Sequence, residues 1–168
     1  IELGHRRLAF AGPLGSTDGV VARRLAGLRS AVAAAPHVEI TQVVSADHGP
    51  CAAARVAERL LTGTNRPSAV IAASDTLAGE LVGELLDRSV DVPGQMSVVG
   101  FDDTAISRWM RPQLTSVSQD IPAKASIAVD LLIRLIEGET HEAAGSPARL
   151  PMVLVPRQST APPPTTSA

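Results

Sequence analysis

Several charged, amide and hydroxyl-bearing residues fall just beyond short apolar runs. They are Asp47 and His48, Ser74 and Asp75, Asp102 and Asp103, and Gln119 and Asp120, with Arg23 and Arg24 one turn into the first helical stretch. Carboxylates accept from adjacent hydroxyls and arginines donate to them in a planar, two-pronged geometry, while an imidazole or aromatic ring can lie against the face of a sugar. The set therefore fits a neutral polyhydroxyl ligand. Plainer roles stand beside this one: Asp75 can cap a helix, Arg23 can stand on an exposed helix face, His48 can sit in a solvated loop, and Asp103 can cap or shape a turn.

Catalytic and metal chemistry finds little support. Gly12-Pro13-Leu14-Gly15-Ser16 follows an apolar run but has neither the G-x-G-x-x-G spacing nor the Gly-Lys-Ser/Thr ending of a phosphate loop. No G-x-S-x-G elbow occurs, and Cys51 has no evident histidine partner beyond the nearby His48. Asp102-Asp103-Thr104 could suggest phosphoryl transfer, yet the sole lysine, Lys124, falls in a helical stretch rather than at a later strand end. The four histidines, at positions 5, 37, 48 and 141, are too dispersed for a short metal motif, and a single cysteine excludes an internal disulfide or a Cys-rich zinc site. Neither an enzyme nor a cofactor or metal is expected. The formal charge is −2 and the arginines are scattered singly or in pairs, so nothing here grips a nucleic-acid backbone. No apolar run approaches the roughly 18 residues needed to span a bilayer, and no membrane partner is expected.

A regular alternation of elements must position these groups. The chain has 168 residues, 45% hydrophobic and 19% charged, which suits about one globular domain with a real core. Short apolar runs recur at Leu8 to Ala11, Val38 to Val44, Ala69 to Ala73 and Ser97 to Phe101. Between them, Val21, Leu25, Leu28 and Val32 follow the cap-type residues Thr17 and Asp18 at helical spacing. Ala53, Val56, Ala57, Leu60 and Leu61 form a second helical face that stops at Gly63. A third face, Ala78, Leu81, Val82 and Leu85, starts behind Ser74 and Asp75. Ala69-Val70-Ile71-Ala72-Ala73 is apolar at every position, as in a strand covered on both sides. The expectation is an α/β fold with a doubly wound parallel sheet, whose ligands lie outside the carboxyl ends of the strands.

The last third departs from this rhythm. Thr115 to Ser118 predicts a short strand, and Ile121, Ala125, Ala128, Val129, Leu132, Leu135 and Ile136 predict a long apolar helical stripe ending at Gly138. Residues 138–147 read as a polar loop, and Leu150 to Val155 as a final strand interrupted by Pro151, hence an edge or crossover. Pro156 to Ala168 reads as a tail too poor in apolar residues to order itself.

The same residues resemble a known family. Gly4-His5-Arg6-Arg7-Leu8-Ala9-Phe10, Arg24-Leu25-Ala26-Gly27, Ala73-Ser74-Asp75, Val92-Pro93 through Ser97-Val98-Val99-Gly100-Phe101-Asp102-Asp103, then Pro112-Gln113-Leu114-Thr115-Ser116-Val117 and Gln119, are similar in order and spacing to the effector-binding core of LacI/GalR-type bacterial transcriptional repressors. The resemblance spans about residues 4 to 160. It implies a type I periplasmic-binding-protein-like core of two α/β lobes with a small effector, commonly a sugar or a purine, between them, and a separate N-terminal DNA-binding domain.

On that resemblance, residues 1–117 correspond to the C-terminal lobe, 118–147 to a remnant of the N-terminal lobe, 148–157 to the return strand, and 158–168 to a disordered tail. The expected role is the sugar-binding, homodimer-forming part of a cytoplasmic repressor. DNA would be bound only through a domain missing here, and the absence of an initial methionine agrees with a piece of a longer protein. Arg24 resembles the arginine that clamps effector hydroxyls or a carboxylate, and Asp102 the aspartate that accepts from hydroxyls. His48 falls where relatives often place an aromatic residue, Ser74 where many place an asparagine, and Gln119 where a crossover contributes a weaker contact. The rival readings are a transporter's sugar-binding protein and a Rossmann-like enzyme.

Overall fold

A computed structural model describes residues 1–15, 19–46, 49, 51–138 and 150–164. In chain order the elements are β1 (Arg7–Gly12), α1 (Val20–Ala33), β2 (Glu39–Ser45), α2 (Ala52–Leu61), β3 (Ala69–Ala72) and α3 (Asp75–Asp87). There follow β4 (Ser97–Asp102), α4 (Ala105–Trp109), β5 (Thr115–Ser118), α5 (Ile121–Ile136) and β6 (Val153–Val155). They build one six-stranded sheet in the order β2-β1-β3-β4-β5-β6. The first five strands in that order pair in parallel, and β6 pairs antiparallel with β5. The chain winds from β1 outward to β2 and then, from β3 onward, in the opposite direction. The order therefore reverses between β1 and β3, where open α/β sheets place their ligands.

Two apolar layers cover the sheet. Successive strand side chains alternate between faces, so Leu8 and Phe10 of β1 pack with Leu25 and Leu28 of α1. Ala9 and Ala11 pack with Val56 and Leu60 of α2 and with Leu81 and Leu85 of α3. The doubly wound sheet expected from the apolar runs is present.

Helix ends differ from expectation in detail. The cap of α1 is Gly19, which offers no side-chain bond; Thr17 and Asp18, the expected caps, lie outside the described residues. At α3 the cap is Ser74, whose Oγ accepts from the Leu77 N–H at 3.3 Å, while Asp75 is the first helical residue and is buried. Gly63 stands just past the end of α2 with φ +89°, the left-handed conformation that glycine adopts freely. The one-turn α4 carries no sequence pattern of its own and was not expected.

The final segment corrects the reading of a disordered tail. Ser159 is fully buried: its carbonyl accepts from the Val98 N–H at 2.8 Å and its Oγ donates to the Val98 carbonyl at 2.6 Å. The Thr115 N–H donates to Ser159 Oγ at 2.8 Å, and the Gln158 and Ser159 N–H groups both reach the Gln113 carbonyl at 2.9 Å. The segment supplies the hydrogen bonds that β4 lacks below the first residue of β5. Order here comes from backbone pairing and one buried serine rather than from apolar area, which is why composition misjudged it. Residues 165–168 lie outside the described residues.

His5 fastens the two ends of the chain together. It is buried; its Nε2–H donates to the Ala161 carbonyl at 2.9 Å, so its Nδ1 is left to accept from Ser68 Oγ at 2.8 Å. Burial, only partly opposed by the Ala161 bond, holds the imidazole below its ordinary value of 6.5. Between the lowered value and 6.5 the unfolded chain binds the proton and the folded chain does not, so stability falls as pH drops below 6.5. Urea denaturation at pH 7.5 and pH 5.5 is expected to show this loss, and His5→Gln to flatten it. An unchanged slope in the variant would remove His5 as its source.

The long helix α5 matches its expected span but buries none of its residues. Ile121, Val129, Leu132, Ile133 and Ile136 are all exposed, as are Met152, Val153 and Leu154 around β6. The stripe does not fold back onto the sheet.

Candidate functional site

Arg24 lies one turn into α1, beside the carboxyl ends of β3 and β4. One Nη donates to the carbonyl of Ala73, just past β3, and the other meets Asp102 Oδ1 at 3.3 Å, at the end of β4. Its guanidinium lies 3.6 Å above the centroid of the Phe101 ring, a stacked cation–π contact. Gln119, just after β5, donates to the same Asp102 oxygen at 2.5 Å and accepts from Lys124 Nζ at 2.8 Å. Three elements separated by up to 95 residues in sequence thus converge on one carboxylate.

Donor and acceptor capacity remains for a ligand. Arg24 and Asp102 keep 16% and 31% of their side-chain surface exposed, and the second Asp102 oxygen takes no hydrogen bond from the described residues; the buried Arg24 Nε has no partner among them either. A buried donor without a partner costs about 1–3 kcal/mol, so the arrangement is not optimised for stability alone. An open groove of about 330 Å³ borders the turn, lined by Asp102, Asp103, Arg108, Ser118, Asp120 and Pro151 among others. That volume is at the small end of ligand sites.

The turn after β4 is held in an unusual shape. Asp102 has φ +110° and Asp103 φ +50°, conformations that cost an L-residue on the order of 1–3 kcal/mol each. Asp103 turns away from Arg24: its Oδ1 takes Arg157 Nη2 at 2.5 Å and Ser107 Oγ at 3.0 Å, and its Oδ2 takes Arg108 at 3.3 Å. Removal from water pushes the Asp103 carboxyl up. The hydrogen bonds of Arg157 and Ser107, the Arg157 charge and the Arg108 bond together outweigh this and hold it below the ordinary 3.8.

Beneath the turn lies Asp75. Its Oδ2 accepts from the Thr104 N–H at 2.6 Å and the Thr104 hydroxyl at 3.0 Å, and its Oδ1 from Ser116 Oγ at 2.5 Å. Gly100 of β4 leaves room for that carboxylate, because a Cβ there would stand 2.4 Å from Asp75 Oδ1 and 2.7 Å from Leu114 Cδ2. Gly100→Ala is expected to cost about 1–3 kcal/mol by overpacking. Gly27→Ala, on an exposed helix position with nothing within 4 Å, is expected to stabilise by about 0.4–1 kcal/mol. Chemical denaturation of the pair would expose an error if both substitutions moved stability the same way.

Of the five residues singled out in the sequence, the structure brings Arg24, Asp102 and Gln119 together. Ser74 is adjacent to the Ala73 carbonyl that holds Arg24; its oxygen caps α3, and its hydroxyl proton is left to donate. His48 lies outside the described residues. Sequence reasoning missed Phe101 as a floor for Arg24, Lys124 as the support of Gln119, and Arg157 as the partner of Asp103. Only Phe101 carried a signal, as the aromatic residue next to a strand-end aspartate.

Comparison with known proteins identifies relatives of the fold. The chain is 29% identical over 163 residues to catabolite control protein A of Priestia megaterium, covering 95% of this chain and 48% of that protein. A LacI-family transcriptional regulator from Enterococcus faecium, solved with bound ribose, superposes on 96% of this chain and 59% of its own, with a TM-score of 0.84 and 25% identity. A dimeric Lac repressor lacking 11 C-terminal residues does so with a TM-score of 0.84 and 28% identity, over 96% of this chain and 58% of its own. The chain thus spans about half the length of the relatives it matches. A family model, the periplasmic binding protein-like domain, matches residues 1–160; the sheet order and this match agree, and the chain belongs to the periplasmic-binding-protein-like domain family, with LacI/GalR-type transcriptional regulators as its homologues.

Proposed function

We propose that this chain is the effector-binding and dimerisation part of a LacI/GalR-type transcriptional repressor, acting by binding rather than catalysis, with a sugar as its effector. The observation that carries the reading is the shared Asp102 carboxylate, held by Arg24 and Gln119 at the strand ends and keeping one oxygen for ligand hydroxyls. Arg24 would donate to a neighbouring hydroxyl, and Ser74 would add a hydroxyl beside it. The ribose-bound relative supports a sugar, and the dimeric Lac repressor supports self-association. DNA would be contacted by a domain outside these residues, in a cytoplasmic protein.

In this reading residues 1–117 are the C-terminal lobe, 118–147 part of a second lobe and 148–157 the return to the first. The exposed apolar stripe of α5 supports that division, since a helix with no buried residue belongs against a surface that the described residues do not supply. Effector would then shift the balance between two lobe arrangements, which requires different affinity for each. The test is a thermal-shift screen of the parent-length protein against ribose, galactose, glucose and purine bases. A ligand that binds only the native state raises Tm, so at least one sugar is expected to do so. A rise with a purine alone, or with nothing in the panel, would overturn the sugar assignment.

A further inference from the structure

We infer that Asp75 is a positioning residue of the ligand site, fixing the direction in which Asp102 presents its carboxylate. The inference deepens the proposed binding function and rests on it for its purpose, though not for its geometry. Asp75 is 1% exposed and has no cationic partner among the described residues. All three of its recorded bonds serve one short segment and the strand beside it. Thr104 donates to it through both its N–H and its hydroxyl. Ser116 Oγ donates to the other oxygen, and the same Oγ accepts from the Asp103 N–H at 3.1 Å. The consecutive N–H groups of residues 103 and 104 are therefore anchored to one carboxylate, the first through a hydroxyl and the second directly.

That anchoring explains the turn. Two adjacent non-glycine residues with positive φ persist only where the surroundings over-determine them, and here the determining groups are the acceptors supplied by Asp75 and Ser116. The shape sends the neighbouring aspartates to different partners, Asp102 to Arg24 and Gln119, and Asp103 to Arg157 and Arg108. A helix-capping role would not need this carboxylate, since Ser74 already caps α3. The space left by Gly100 at 2.4 Å indicates that β4 is shaped around the carboxylate as well.

The test reads Asp102 and Arg24 directly. Asp75→Asn keeps the shape but sets an amide N–H against a donor that the carboxylate accepted, and Ser116→Ala removes the link to residue 103. In arginine-labelled protein, the Arg24 Nε–H resonance is expected to shift and its exchange with water to quicken at least about tenfold in both variants. The Asp102 carboxyl carbon resonance, followed at fixed pH, is expected to move with it. Val56→Ala, a core change in α2, serves as the destabilised control and should leave both signals in place. If Asp75→Asn does not fold, Ser116→Ala and Thr104→Val carry the same readout. Unmoved Arg24 and Asp102 signals in any folded member of this set would overturn the inference. In parallel, ribose titration of the parent-length protein separates the two claims: no binding by the unaltered protein would count against ribose as effector, while the Arg24 signal would still judge Asp75.

Discussion

Asp103→Ala is expected to destabilise the protein by about 3–5 kcal/mol, because it strands the Arg157 guanidinium in a site where both partners are nearly buried. Asp103 and Arg157 keep only 9% and 12% of their side-chain surface exposed. Arg157 would retain the Leu114 carbonyl at 2.7 Å and Ser107 at 3.2 Å, but no neutralising charge on that side. Exposed pairs such as Arg88–Glu84 make no such claim, since surface ion pairs are worth about 0–1 kcal/mol. The pair also predicts a pH effect of definite sign. The folded carboxyl titrates below 3.8, so its contribution is fully present above that value and is lost as pH falls through the folded value. Urea denaturation from pH 5 down to pH 2.5 should show a steeper loss in the unaltered protein than in Asp103→Asn. Equal stability at pH 7 in Asp103→Ala would show that Arg157 finds another partner and that the pair is not structural.

Asp102→Ala is expected to weaken effector binding by at least about thirtyfold, while leaving most of the stability intact. A hydrogen bond from a ligand hydroxyl to a charged carboxylate contributes about 1.5–3 kcal/mol, and 1.4 kcal/mol is tenfold. Here the loss is compounded, because Arg24 and Gln119 both orient on the same oxygen. Arg24→Lys keeps the charge but gives up the two-pronged reach to Ala73 and Asp102 and the flat stack on Phe101. It is therefore expected to fall between the two. Calorimetry on the parent-length protein, with whichever sugar raises Tm, checks the order. Unchanged affinity in Asp102→Ala would move recognition away from this turn altogether.

The parts of the molecule legible in the sequence are those governed by apolar periodicity. The strand runs, the faces of α2 and α3 and the whole span of α5 obey simple spacing rules, and the structure follows them. Arg24 and Asp102 were singled out through the resemblance to LacI/GalR-type repressors, position alone leaving them open, and the structure places the two side by side. What escaped reading depends on partners far away in sequence. Arg157 lies 54 residues from Asp103, and no local pattern announces that pair. Ser159 looked like part of a Pro/Thr/Ser tail because composition measures apolar area, whereas its place in the structure rests on the open backbone groups of Val98 and Thr115. Asp75 was read as a cap because aspartate at a helix start commonly is one; its actual partners come from two later elements.

The seating of Ser159 against Val98 has a consequence for how the molecule comes into being. Synthesis runs from β1 onward, so β3, β4 and β5 emerge while the position beside Val98 is still vacant. The Val98 N–H and carbonyl and the Thr115 N–H meet their partner only after 61 and 44 further residues have been made. Ribosome-bound chains ending before Arg157 would carry an incomplete seam in the middle of the sheet, open to water or to another chain. Closure by distant segments is slow relative to local helix formation, which places the filling of this seam, below the four residue pairs that join β4 directly to β5, among the last events on the way to the native state. The gap beside Val98 is thus filled by a strip of chain made 61 residues after the strand it completes.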